Sequence, residues 1–229
     1  MSKKKWYAVA KGKKTGIYEF WFGKNGAKEQ IDGFNGAVFK GFSSFEDAEG
    51  FLNSKNGSST SNQNSGSKDC ILVYTDGGCI NNPGPGGYGA VIIDGNKVFE
   101  LSGGRRLTTN NRMEMLACVE ALGRLNKIRK KIILHTDSSY IVNAINKGWL
   151  NSWIKNNWIK SDKKPVLNSD LWKEVYKYIK NLNVEFKWVK GHSGIKYNER
   201  CDLLANSAAR NNPVDIDENY EKSLTEKSD

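Results

Sequence analysis

Four acidic residues, Asp76, Glu114, Asp137 and Asp202, stand far apart in the 229-residue sequence, each at the edge of a segment with its own pattern. Carboxylates brought into one cleft repel one another and raise each other's pKa, so an all-acid cluster is unstable unless cations share it. Oxygen-only donors favour hard divalent ions such as Mg²⁺ or Mn²⁺. Two such ions about 3.5–4 Å apart are the usual arrangement for activating water and stabilising the leaving oxygen in phosphodiester cleavage. Singly, each acid has a plain structural use. Asp76 precedes Gly77-Gly78, a turn signal. Glu114 and Asp202 read as first-turn helical residues, where the helix dipole favours a carboxylate, and Asp137 sits where a helix N-cap is expected. Only the set is informative.

The elements that must position these acids follow from periodicity. CILVYTDGG reads as a buried strand ending at Asp76, with YGAVII and KVFELSGG as antiparallel neighbours. Residues 111–126 form a helix, because Met115, Cys118, Val119, Leu122 and Leu125 recur at helical spacing behind Thr108-Thr109-Asn110. KKIILHTD is a further strand, SSYIVNAI a short helix, NVEFKWV a fifth strand, and a last helix runs from about Asn198 to Arg210. Hairpins followed by alternating strands and helices imply an α/β mixed sheet flanked by helices.

Ahead of this region, residues 6–52 are rich in aromatics and glycine. They read as a small three-stranded α+β unit: two strands around Gly12–Gly16, a third through Ala37-Val38-Phe39-Lys40, and a closing helix after the capping pattern Ser43-Ser44-Phe45-Glu46. Residues 53–68, NSKNGSSTSNQNSGSK, contain nothing that could join a core and read as a flexible linker. The expected organisation is thus 1–52, a linker at 53–68, a second domain at 69–212, and a disordered acidic tail at 213–229 with six acids and two lysines.

The charge is +10, and basic residues exceed acidic by 22 to 13 within 69–212. A polyanion partner follows, nucleic acid ahead of membrane because no long apolar run or basic amphipathic helix is present. The four cysteines make no CxxC pair, and the opening MSKKKW lacks an apolar signal core; together these point to a reducing cytoplasmic setting.

The motifs YTDGGCINNPGPGGYGAV, TTNNRMEMLA, LHTDSSYIV, DKKPVLNSDLW and WVKGHSGIKYNERCDLLAN, in this order across residues 70–210, resemble the type 1 ribonuclease H domain. The resemblance implies a ribonuclease H-like five-stranded sheet and a two-ion site, Mg²⁺ with Mn²⁺ as a possible substitute, held by Asp76, Glu114, Asp137 and Asp202, with Asp76 bridging both ions. It implies hydrolysis of the RNA strand of an RNA/DNA hybrid, leaving 5′-phosphate and 3′-hydroxyl ends, and gives His192 a part in water delivery or proton transfer. Cys79, Asn82, Asn110 and Asn111 align with positions that read 2′-hydroxyls, a task suited to small polar groups in a wide minor groove. For Asn110 and Asn111 helix capping is a competing use. Trp149 and Trp153, four residues apart on one helical face, resemble the basic protrusion that meets the DNA strand, with Lys155 nearby. Thr109 and Asn168 match a phosphate pocket.

WYAVAKGKKTGIYEFW and IDGFNGAVFKGFSSFEDA resemble the hybrid-binding domain found at the N-terminus of some type 1 ribonucleases H and in viroplasmin-like proteins. Tyr7, Trp21 and Phe39 align with duplex-contacting positions and Lys40 with a phosphate contact. Gly41 stands where a second lysine is frequent, and FGKNGAKEQI is longer than the usual entry to the helix. A monomer acting on RNA/DNA hybrids is expected, without membrane or obligate protein partner. The rival readings are a DNA nuclease of the same fold and a non-catalytic hybrid-binding protein.

Overall fold

The computed structural model describes residues 6–23, 26–43, 47–48, 50–52 and 70–225, and the chain divides into two compact units, 1–63 and 64–229. In the first, β1 (Trp6–Lys11) pairs antiparallel with both β2 (Gly16–Tyr18) and β3 (Val38–Phe42), giving the order β2-β1-β3. The short helix α1 (Ala27–Ile31) buries Ala27, and Ala8 and Val9 of β1 are fully buried. The expected three-stranded sheet is present. The capping pattern predicted at 43–46 lies largely outside the described residues, as does the whole segment 53–68.

The second unit is built on a five-stranded sheet in the order β6-β5-β4-β7-β8, from β4 (Cys70–Cys79), β5 (Gly84–Asp94), β6 (Lys97–Thr108), β7 (Lys131–Thr136) and β8 (Val184–Trp188). β4, β5 and β6 form an antiparallel meander, while β7 and β8 run parallel to β4. The alternation in β4 buries Ile71, Val73 and Thr75 on one face. There they share a core with Met115, Cys118 and Leu122 of helix α2 (Asn110–Arg124) and with Ile141, Leu150 and Trp172 from helices α3 (Ser139–Asn146), α4 (Trp149–Lys155) and α5 (Ser169–Ile179). The opposite face is covered by α6 (Lys196–Arg210), whose Cys201 and Leu204 meet Val91, Ile93 and Tyr74. Burial of each large apolar side chain in these layers contributes about 1.5–3 kcal/mol. α5 was not read from the sequence, although Trp172, Val175 and Ile179 have helical spacing. Among the described residues no helix is long and apolar enough to cross a membrane.

The expected disordered acidic tail is corrected by the structure. Residues 213–225 run back along β6 and finish in α7 (Glu218–Thr225). Arg106 donates its backbone N–H to the Asp215 carbonyl and pairs with Glu221 at 2.6 Å, Arg105 meets Asp215 at 3.4 Å, and buried Asp217 is held by Thr108 and Arg112. The acids that make this stretch look disordered by composition are the ones that dock it, because arginines distant in sequence wait opposite them.

Candidate active site

Asp76 lies inside β4 and faces Gly89 of β5 in register, so it is a strand residue and not the turn former its Gly-Gly neighbours suggested. The parallel ladder pairs Thr75 with Thr136, which brings Asp137, one residue beyond β7, alongside Asp76. Ser138, not Asp137, caps α3 by accepting from the Ile141 N–H, so the Asp137 carboxylate is spared that duty. Asp137 is fixed through its backbone instead, its carbonyl accepting the Trp188 indole N–H at 3.1 Å.

The other two acids arrive from opposite sides. α2 crosses β4 so closely that a Cβ on Gly77 would lie 2.2 Å from the Met113 carbonyl carbon and 2.3 Å from the Glu114 nitrogen. Only glycine permits this crossing, which delivers Glu114 to the end of β4. Glu114 is the fifth residue of α2, past the first turn, and its carboxylate accepts a short hydrogen bond from the Ser138 hydroxyl. On the other face, a Cβ on Gly89 would lie 2.3 Å from the Cys201 carbonyl oxygen; the absence of one lets α6 settle beside Asp76 with Asp202 next in its chain. Asp202 is the seventh residue of α6, again beyond the first turn, and accepts from Asn206 Nδ2 at 2.8 Å. None of the four acids therefore serves the structural use its local sequence offered.

Asp76 feels the charge of each of the other three acids. Burial, then Asp137 and Asp202, push Asp76 up to about 8, with Glu114 adding to the rise against one backbone hydrogen bond from Gly77. Glu114 is raised by burial and by Asp137, although Ser138 opposes the shift. Asp202 is raised mainly by burial, with Glu199 and Asp137 adding, while His192 pulls it down. His192 thus lies close enough for its charge to be felt at Asp202. It occupies an exposed loop whose Gly194 N–H donates to Glu199 of α6 at 3.0 Å, and a Cβ on Gly191 would come within 2.6 Å of the Asp137 carboxylate. His135, the second histidine, lies within β7 and stacks on Tyr74 at 4.5 Å.

The donor set is all carboxylate and fits a hard divalent cation. Among the described residues no three His, Cys, Asp or Glu side chains close into a ready-made cage for a single ion.

The family model for RNase H matches residues 68–210, and that for the ribonuclease H1 N-terminal domain matches residues 5–52. A ribonuclease H from Desulforamulus reducens is 51% identical over 157 residues, covering 68% of this chain and 98% of the relative. This chain belongs to the ribonuclease H family. It is accordingly an endoribonuclease. A ribonuclease HI from Synechocystis is 46% identical, covering 66% of this chain and 95% of that one. The crystal structure of a type 1 RNase H with the type 2 active-site motif shares the fold at a TM-score of 0.56 and 28% identity, over 62% of this chain and 72% of the other.

The expected nucleic-acid contacts of this ribonuclease H fall on separate elements of the two units. Asn110 accepts the Cys79 N–H through its side chain at 2.7 Å and donates its own N–H to Asn82 at 3.1 Å. Its amide therefore ties α2 to the loop after β4; Thr109 is the N-cap of α2, without a side-chain capping bond. Asn111 is exposed on the same turn. Trp149, 40% exposed, and Trp153 are 6.4 Å apart on α4, with Lys147 over the Trp149 ring; Trp153 also packs edge-on to Trp172, so its inner side belongs to the core. Lys155 is exposed at the end of that helix. Asn168 caps α5 in a left-handed conformation beside Arg112. In the first unit Trp21 bridges Tyr7 and Phe39 at 5.1 and 5.3 Å, Phe39 is 43% exposed, and Lys40 projects from the same strand. A Cβ on Gly41 would sit 3.3 Å from the Tyr7 ring, so a side chain there would press on this aromatic row. Sequence reasoning missed Ser138, Asn206, Glu199 and Trp188, whose roles come from hydrogen bonds with no motif of their own.

Proposed function

We propose that this ribonuclease H hydrolyses the RNA strand of RNA/DNA hybrids at Asp76, Glu114, Asp137 and Asp202, with two divalent ions, Mg²⁺ or Mn²⁺, as cofactors, leaving 5′-phosphate and 3′-hydroxyl ends. The observation that carries this reading is the placement of Asp76, set beside Asp137 by the β4–β7 ladder and feeling the charges of Asp137, Asp202 and Glu114 together. Such a cluster gains most by sharing its negative charge with cations, and when bound these supply water activation and charge neutralisation at the phosphate. The chain's own residues do the rest. Asp76, on the central strand β4 of the sheet, would hold both ions. Ser138 and Asn206 hold Glu114 and Asp202 in one orientation each, so little ordering remains to be done when substrate arrives. His192 faces Asp202 from an exposed loop, where it can take up or return a proton as product leaves.

Cys79, Asn82, Asn110 and Asn111 would read ribose hydroxyls of the RNA strand, and Trp149, Trp153, Lys155, Thr109 and Asn168 the DNA strand. The row of Tyr7, Trp21 and Phe39 with Lys40 would hold the duplex in the first unit. The working form is taken as a monomer in a reducing cytoplasm, where its four cysteines stay reduced.

The test is incubation of labelled RNA/DNA hybrid, duplex RNA and duplex DNA with and without Mg²⁺, beside Asp76→Asn. Cleavage of only the hybrid's RNA strand, abolished by chelation and by the substitution, supports the proposal; equal cleavage of duplex DNA overturns it.

A further inference from the structure

Arg112 lies two residues before Glu114 and is only 4% exposed. Its guanidinium grips Asp217 through Nε and Nη2, both at 2.7 Å, and Asp170 of α5 through Nη1 and Nη2 at 3.0 and 2.6 Å. Thr108 donates its hydroxyl to the same Asp217 carboxylate at 2.6 Å. A buried ion costs several kcal/mol to desolvate and persists only when fully paired, so this joint fixes the start of α2, the start of α5 and the returning segment after α6 as one body. The third partner of Arg112 is the informative one: Nη1 also donates to Asn168 Oδ1 at 3.4 Å. With its oxygen turned to the guanidinium, the Asn168 amide presents its NH₂ group the other way as a donor. Neither Asn168 nor Thr109 uses its side chain to cap the helix it begins.

We propose that Asp217 is a positioning residue for nucleic-acid binding. By holding Arg112, whose Nη1 meets Asn168 Oδ1, it aims the Asn168 amide at the start of α2, where Thr109 is the N-cap, so that the two side chains can meet one phosphate of the DNA strand. This rests on the assignment of Thr109 and Asn168 to that phosphate. An arginine released from Asp217 would follow Asp170 alone, and the Asn168 amide would lose its fixed orientation while the four acids kept theirs.

The experiment compares steady-state cleavage by the full chain with that by Asp217→Asn, Asp217→Glu, Thr109→Ala and Asn168→Ala, well below each variant's melting temperature. Substrates are an unmodified hybrid and a series carrying one methylphosphonate in the DNA strand. Expected is a rise in KM of about five- to tenfold for Asp217→Asn with kcat within about twofold, partly restored in Asp217→Glu. At the methylphosphonate that raises the wild-type KM, Asp217→Asn should add nothing further. If Asp217→Asn lowers the melting temperature without changing KM, while Thr109→Ala and Asn168→Ala do raise it, Asp217 is merely structural and the inference falls with the pocket intact. If Thr109→Ala and Asn168→Ala leave KM unchanged, the pocket assignment falls and takes the inference with it. Should Asp217→Asn fail to fold, Asp217→Glu carries the same comparison, and an unchanged KM there overturns the inference.

Discussion

Burial and three neighbouring acids push the Asp76 carboxyl up to about 8. Its charge is costly to the fold, which leads to opposite effects of one substitution. Asp76→Asn should abolish cleavage, yet in EDTA it should stabilise the protein by about 1–2 kcal/mol, measured by urea unfolding, because a like-charge neighbour is removed. A loss of stability would mean that Asp76 serves the fold. The pH dependence follows from the same shift. A carboxyl whose folded value is raised binds more protons folded than unfolded, so its stabilising contribution is complete below its unfolded value, 3.8, and is lost as pH rises through about 8. Glu114 and Asp202, also raised, act in the same direction. In EDTA the contribution of this site to stability should therefore fall between about pH 4 and pH 8, and saturating Mg²⁺ should flatten that fall by favouring the ionised acids. A pH profile that is the same with and without Mg²⁺ in wild type would contradict the coupling.

At the level of elements, the site depends on two backbone approaches, α2 over Gly77 and α6 over Gly89. Gly77→Ala places a methyl group 2.2 Å from helix backbone that cannot move aside cheaply. It should cost about 2–4 kcal/mol and reduce activity even where the protein stays folded, since Glu114 is pushed from the cluster. Near-normal activity in a folded Gly77→Ala variant would show that the close crossing is dispensable. How much of this was legible in sequence differs by element. The strands of the sheet announced themselves by apolar runs and alternation, and the family motifs carried the four acids. Glu114 and Asp202 were misplaced within their helices because both helices begin earlier than the apolar pattern does, at Asn110 and Lys196. α5 was obscured by Lys173 and Lys177, which interrupt the apolar spacing of Trp172, Val175 and Ile179. The segment after α6 was misread because its order comes from Arg105, Arg106 and Arg112, partners more than 100 residues away that composition cannot reveal.

For the molecule as a whole, the two units match two separate families, and each carries its own aromatic or basic surface. If the first adds grip on the duplex and the second performs the chemistry, deleting residues 1–68 should weaken hybrid binding and processivity while cleavage remains measurable. A folded truncation with no activity would refute that division of labour. Because both surfaces address backbone and groove shape, binding should weaken steadily with salt and show little sequence preference. The central claim, that four acids from β4, α2, α6 and the end of β7 together hold two divalent ions, is tested most directly by anomalous diffraction from crystals containing Mn²⁺ and an uncleavable hybrid. Two peaks about 4 Å apart, with the Asp76 carboxylate reaching both, are predicted; a single peak, or peaks away from these four residues, would contradict it.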